Sequence, residues 1–525
     1  MQNIAIGTRD ISLQDFQLLL YQSANIVLPQ EVLARVDESF RFLQEFAKGR
    51  VVYGVNTGFG PMAPYLIKPE QSQELQYNLI RSHSAGTGQI LPMDGLKAVL
   101  IARLSSLIQG YSGIHTDAVV LLQSLINQNI LPVIYEHGGV GASGDLVQLA
   151  HLALMMIGEG EAIYENSIQS TKSVFQKTGI SPLKMYLREG LALINGTSAM
   201  TGIGVINVLK SSALLEWMVL ASAMITEIVE AYDDHFSAEL NRAKKHRGQQ
   251  VIAQKMRDIL TGSQRTRKRY NQVQEIQLNG VRKLKEKVQE YYSLRCISQV
   301  LGPVFDTIQN ADEVVTNELN SANDNPIVDV ANRNVLHGGN FHGDYISLEM
   351  DKLKIAMTKL SMLCERQLNY LLNDKLNGIL PPFVNTGVLG LNFGMQGAQF
   401  TAVSTVAENQ TLSNPMYIHS IPNNNDNQDI VSMGTNAAML AHKVIDNSFE
   451  VLAIHFMTIL QAIDYLKISD QLAPKTRAVY DEMRGIFPVF SKDTPLYGDI
   501  HKMKSFLTRQ FIIEEKTPDL QKVKS

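Results

Sequence analysis

The chain has 525 residues, is 45% hydrophobic and only 19% charged, so a sizeable core is available and wholesale disorder is excluded. Its 47 Lys and Arg against 51 Asp and Glu give a formal net charge of -4, which argues against a general nucleic-acid binder. Two cysteines, Cys296 and Cys364, cannot build a disulfide framework or a cysteine metal site, and they fit a reducing cytoplasm.

From Met1 to Ser12 no basic segment precedes an apolar one, so no secretory signal is expected. Glycines cluster at Gly54, Gly58 and Gly60, at Gly86 and Gly88, and between Gly138 and Gly144. These are loop signals between helix-like runs such as Leu96 to Gln109 and Ala118 to Gln128. The stretch from Glu189 to Tyr232, rich in Ala, Leu, Met and Ile, predicts helix interrupted at Gly196, Gly202 and Gly204. Its most apolar part, Trp217 to Ile225, is closed by Glu216 and Glu227 and predicts a buried helix rather than a membrane span.

Two basic runs follow, Arg242 to Arg247 and Arg265 to Arg269; in an acidic chain they read as solvated charge rather than a phosphate patch. Between Leu348 and Leu372 the residues Leu353, Met357, Leu360, Cys364, Leu368 and Leu371 are spaced by three or four, one face of a helix. Glu349, Asp351, Lys352, Lys359 and Glu365 fall largely off that face. Ala437 to Leu466 reads similarly, and the polar tail after Glu514 is expected to fray. The first third is mixed and helical periodicity dominates the second half; a soft boundary falls near residue 200, and long helices with such wide apolar stripes are expected to pack as a bundle.

The glycine-rich stretch His137 to Leu146 lacks the lysine of a phosphate loop and the flanks of a dinucleotide loop, and it misses a serine elbow by one residue. Taken alone, it reads as a tight turn before a helix from Leu146 to Ile157, with Asp145 as its N-cap. A second route is chemical. In Ala142-Ser143-Gly144 the Gly144 nitrogen can close onto the Ala142 carbonyl carbon. Loss of water from that ring and from Ser143 leaves an exocyclic methylene, an electrophile that no ordinary side chain supplies. Glycine leaves the nitrogen unhindered and tolerates the backbone angle.

This tripeptide resembles the self-generated methylidene-imidazolone (MIO) motif of the histidine, phenylalanine and tyrosine ammonia-lyases. Tyr53 to Gly60, Asn78 to Gly86, Gly190 to Thr197 and Tyr292 to Cys296 resemble further segments of that family in the same order. Asn323 to Pro326, Gly339 to His342 and Asn427 to Asp429 extend the likeness over about residues 10 to 470, with the run of residues nearest to bacterial tyrosine ammonia-lyases.

The resemblance implies a mainly α, fumarase/aspartase-like fold: an N-terminal MIO-bearing domain, 1–200, and an elongated helical bundle, 201–525. It also implies a homotetramer with composite active sites, a small aromatic amino acid as substrate, and no metal, external cofactor, nucleic acid or membrane. By motif match Ala142, Ser143 and Gly144 form the electrophile, which takes the substrate amine or, in a competing scheme, its ring. Tyr53 matches the base beside a lid-like loop, and Tyr292 matches a second active-site tyrosine. Arg295 is the natural carboxylate clamp, one helical turn from Tyr292. Asn195 and Asn325 resemble amides that bind the carboxylate and electrophile, although Asn325, before Pro326, also suits turn capping. Gln289 and Phe341 match positions near the ring. Asp233-Asp234-His235 and the pair His337 and His342 have no specific metal spacing and read as structural or supporting groups.

Two positions bear on substrate. Ser82-His83 is the selectivity pair; histidine-specific members resemble Ser-His here, while tyrosine enzymes often carry His-Leu and phenylalanine enzymes Phe-Leu. Asn427-Gln428-Asp429 points the other way, because histidine enzymes resemble Gln-Glu-Asp and pair that Glu with the imidazole. A neutral Gln428 forgoes a charge-assisted partner worth roughly 1.5–3 kcal/mol. His83 can still bond a phenol hydroxyl, so tyrosine is favoured over histidine, and both over phenylalanine. The alternatives are a histidine ammonia-lyase, a tyrosine 2,3-aminomutase with the same electrophile, and an inactive helical relative.

Overall fold

A computed structural model describes residues 2–22, 24–269, 275–284 and 287–510; the tail after Glu514 lies outside them. The chain is mainly helical, and among the described residues the strands form five small sheets of two or three strands each.

The chain divides into two compact units. One comprises Met1–Leu209, Asn310–Lys352 and Pro415–His442; the other comprises Lys210–Gln309, Leu353–Asn414 and Lys443–Ser525. The sequence suggested one cut near residue 200. The first boundary falls close to it, but two later segments cluster with the N-terminal part. Four of the five boundaries lie within long helices, Ser198–Ile228, Ile297–Leu319, Asp344–Leu372 and Gly434–Leu466; the fifth follows Asn414 in a loop. Unbroken helical periodicity gives no punctuation at such points, which is why the sequence could not reveal them.

In the first unit the helix Met93–Leu107 is buried almost all round, and Arg103 is buried with it. That lack of a polar face marks an interior helix. The expected stretch from Glu189 to Tyr232 is two helices, Glu189–Ile194 and Ser198–Ile228. The chain turns between them at Asn195-Gly196-Thr197, while Gly202 and Gly204 stay helical. Ser198–Ile228 and Gly434–Leu466 are long and apolar enough to cross a membrane by length alone, yet 67% and 78% of their apolar windows are buried within the protein. They are core helices.

The apolar stripe from Leu353 to Leu371 is buried as the periodicity predicts. Three acidic residues placed off that stripe are buried too. Glu349 pairs with Lys352, Asp351 accepts the Tyr417 N–H at 2.7 Å, and Glu365 pairs with Arg366. Ionic and backbone partners replace the solvent expected for them.

In the second unit, Asn409 donates to Ser361 at 3.2 Å and to Ser448 at 3.3 Å, so a polar seam joins three helical segments. The second basic run is neutralised by acids rather than solvated alone. Arg265 and Arg267 pair with Glu230, Lys268 with Asp233 and Arg269 with Asp234. This also accounts for Asp233 and Asp234 without a metal. In the first unit, His337 is exposed and His342 faces Asp344 at 3.4 Å.

Candidate active site

In the first unit, the segment Gly141 to Asp145 is held from both sides. On one side the Gly141 carbonyl accepts the Gly343 N–H and the Ser432 hydroxyl, both at 3.0 Å. On the other, the Asp145 N–H donates to the Gly196 carbonyl at 2.8 Å, and Gly144 pairs with Gly196 as an isolated parallel bridge. Gly144 has φ +73°, and a β-carbon there would meet the Gly196 carbonyl oxygen at 2.0 Å. No other residue fits.

Asp145 is not the side-chain cap of Leu146–Met156, as the sequence suggested. Its carboxylate accepts the Ala199 and Met200 N–H groups at 2.8 and 2.9 Å, and so caps Ser198–Ile228 instead. The Thr435 hydroxyl also donates to it. Burial pushes the Asp145 carboxyl up to about 6, against the opposing pull of these donors.

The three residues between these anchors fit an internal ring. Ala142 and Gly144 are buried and Ser143 is half-buried. Gln428 Nε2 donates to Ser143 Oγ at 3.0 Å, and Asn195 Nδ2 donates to the Ser143 carbonyl at 3.1 Å. Asn195 Oδ1 is buried without a hydrogen-bond partner. Gln428 is presented by a tight loop in which Asn424, Asn425 and Asp426 are all left-handed, closed by mutual backbone bonds between Asn423 and Gln428. Asn427 lies in the same loop and is exposed.

The Tyr53 turn reaches this group through the same loop. Tyr53 Oη accepts the Gly60 N–H at 3.0 Å, and the Asn424 side chain lies against Gly60. Tyr53 is half-buried in a turn and packs edge-on to Phe59 at 6.1 Å. Phe341 is half-buried, two residues from the Gly343 that bonds Gly141. Asn325 accepts the Gly338 N–H at 2.8 Å, the turn-supporting role weighed for it. Its carbonyl also receives the buried Arg188 at 2.9 Å.

Ser82 and His83 end the helix Ser72–His83, which packs on Leu146–Met156 and Glu189–Ile194. His83 Nδ1 lies 2.9 Å from the Leu79 carbonyl and 3.0 Å from the Ser82 hydroxyl. A carbonyl only accepts, so Nδ1 carries the hydrogen and the neutral ring keeps Nε2 as an acceptor.

Gln289, Tyr292 and Arg295 belong to the second unit. Tyr292–Arg295 is a single helical turn with the Arg295 guanidinium 4.5 Å over the Tyr292 ring. Gln367 Nε2 fixes that turn through the Ser293 carbonyl at 2.9 Å. Arg295 lines two cavities of about 260 and 340 Å³, Gln289 borders both, and Arg295 Nε is buried with no hydrogen-bond partner among the described residues. A buried, unpaired guanidinium nitrogen suits a carboxylate.

Thus Ala142-Ser143-Gly144, Asn195 and Gln428 are joined by direct contacts, and Tyr53 reaches them through Gly60 and the Asn424 loop. Asn325, Phe341 and Asn427 lie on segments bonded to that group, Ser82-His83 stand on a helix packed beside it, and Gln289, Tyr292 and Arg295 form a separate cluster. The sequence reading missed Gln76, Asp324 and the capping role of Asp145. Only burial and long-range bonds reveal them; the one hint was their place inside or beside motif segments.

Residues 11–485 match the model of the family described as aromatic amino acid lyase. A histidine ammonia-lyase of Shouchella clausii is 37% identical over 505 residues, 96% of this chain and 98% of the relative. A tyrosine ammonia-lyase of Cupriavidus metallidurans is 38% identical over 498 residues, 93% of each chain. The crystal structure of a tyrosine aminomutase from Streptomyces globisporus superposes with a TM-score of 0.92 at 35% identity, covering 97% of this chain and 98% of that one. Identities this close separate neither tyrosine from histidine nor elimination from amine migration.

Proposed function

The chain belongs to the aromatic amino acid lyase family, a family of carbon–nitrogen lyases, and from that premise we propose that it eliminates ammonia from L-tyrosine to give trans-4-coumarate. The observation that carries the choice of tyrosine is Gln428, a neutral amide buried against Ser143 where an imidazolium would need a carboxylate.

The geometry supports the following roles. Cyclised Ala142-Ser143-Gly144 supplies an electrophilic methylene that activates the substrate for loss of ammonia. Asn195 Nδ2 donates to the Ser143 carbonyl, which is conjugated with that methylene, and so withdraws electron density from it. The unpaired Asn195 Oδ1 offers an acceptor to the substrate amine. Tyr53, oriented by the Gly60 N–H, acts as the phenolate and takes the β-proton onto its oxygen, becoming the phenol. The Cβ–H and Cα–N bonds break, the new double bond forms, and ammonia leaves. Arg295, stacked on Tyr292, binds the carboxylate. Ser82-His83, Phe341 and the Asn427 loop surround the ring, with His83 Nε2 accepting the phenol hydrogen; Gln289 comes with the Arg295 turn that another subunit contributes. Asn325 supports the site through its turn.

The substrate test compares tyrosine, histidine and phenylalanine. Wild type converts tyrosine with the highest kcat/KM. In His83→Phe the tyrosine value falls by roughly 1–3 kcal/mol in transition-state terms, about 5- to 150-fold, and phenylalanine gains relatively. Gln428→Glu moves activity toward histidine. That variant also loses the Nε2 donor to Ser143 Oγ, so rates are normalised to electrophile content by intact mass. Urocanate from histidine forming faster than 4-coumarate from tyrosine in wild type overturns the assignment. A β-amino acid in place of free ammonia makes the enzyme an aminomutase.

We further propose a cytoplasmic homotetramer in which the Arg295 turn of one subunit completes the Ser143 site of another. The supports are the exposure of Tyr292, at 70%, and of the apolar run Val388, Leu389, Leu391 and Phe393. Both cysteines are free, as a reducing compartment requires. Inactive Ser143→Ala and Arg295→Met proteins, mixed during refolding, regain activity if sites are composite. Failure to regain any, with mixed tetramers verified by mass, contradicts it.

A further inference from the structure

We propose that Gln76 is a positioning residue that fixes the Tyr53 turn to the helix ending at Asn195; this rests on the reading of Tyr53 as the base. Gln76 lies within the helix Ser72–His83 and is fully buried. Its Nε2 donates to the Gly54 carbonyl at 3.1 Å, and its Oε1 accepts the Leu191 N–H at 3.1 Å. The two ends of one amide therefore reach two elements that carry site residues.

Gly54 follows Tyr53 directly. Its N–H donates to Thr57 Oγ1 at 3.2 Å, and Gly60, a few residues on, donates to Tyr53 Oη. A shift of Gly54 is thus passed to the phenol oxygen. Leu191 stands in the first turn of Glu189–Ile194, where N–H groups have no partner within the helix. The same Leu191 carbonyl accepts the Asn195 N–H at 2.9 Å. The contact is close: Gly54 has φ +72°, and a β-carbon on it would meet Leu191 Cδ2 at 2.3 Å. An apolar side chain at 76 leaves a buried carbonyl and a buried N–H unsatisfied, and the turn and helix lose their common reference.

The test is Gln76→Leu, with Gln76→Met as the unbranched second variant should the first not fold. Turnover falls on the order of 10²-fold, as expected when a reacting group is displaced by about an ångström. Electrophile content, read as the loss of two water masses, is unchanged. Deuterium at the substrate β-carbon slows the variant more than wild type, because proton transfer to Tyr53 becomes limiting. Added to Tyr53→Phe, the substitution causes no further loss of residual activity. Wild-type turnover and isotope effect in the folded variants overturn the proposal, and so do losses that multiply with those of Tyr53→Phe. A fully active Tyr53→Phe overturns instead the reading of the base on which it rests.

Discussion

Ser143→Ala removes activity by on the order of 10⁴- to 10⁶-fold, the range seen when the reacting atom of a covalent group is deleted. The reason is stoichiometric. The methylene carbon is the Ser143 β-carbon, and it becomes a methylene only by losing the hydroxyl that alanine lacks. The structure limits the damage elsewhere. Ser143 is half-buried, and its hydroxyl accepts one bond, from Gln428. Losing that bond costs the uncyclised chain about 1 kcal/mol, and the cyclised protein has already given the hydroxyl up as water, so the variant folds. The Asp145 and Gly196 contacts that hold the segment do not involve the hydroxyl. The checks are the intact mass, which in wild type is short of two waters and in the variant is not, and ammonia release from tyrosine. Undiminished turnover in Ser143→Ala sinks the whole mechanism.

The same segment shows what was legible beforehand. Ala142-Ser143-Gly144 could be read because its chemistry depends on three adjacent residues. Tyr53 to Gly60 and Tyr292 to Arg295 could be read for the same reason: each is a local motif. The stripe from Leu353 to Leu371 was legible because burial follows helical spacing. What failed was non-local. Asp145 precedes one helix and caps another, 54 residues away, because backbone geometry after Gly144 aims its carboxylate at the Ala199 N–H. Gln76 reaches Leu191 across 115 residues, and one glutamine in a polar stretch carries no mark of that. The division into two units was hidden because four of its five boundaries fall inside helices that run on unbroken.

Asp324→Ala is the substitution expected to cost most in stability, and the reason is a charge rather than a contact. Arg188 and Asp324 are both fully buried and meet through two parallel bonds, at 3.1 and 3.3 Å. Arg188 also donates to the Ser112 and Asn325 carbonyls, and its own carbonyl accepts the Ala192 N–H in the helix that ends at Asn195. Removing the carboxylate strands a guanidinium away from water, which costs about 3–5 kcal/mol, more than the pair contributes over an apolar replacement. The loss therefore depends on the partner. In Arg188→Met the damage from Asp324→Leu is largely absent, because no charge remains to be stranded. Asp324→Asn, which keeps an acceptor, lies between wild type and Asp324→Ala. The denaturant midpoint of the first unfolding transition measures all four, at fixed protein concentration because assembly shifts it. An Asp324→Ala midpoint equal to that of wild type means water reaches Arg188 and the pair is not the buried anchor of the 323–326 segment.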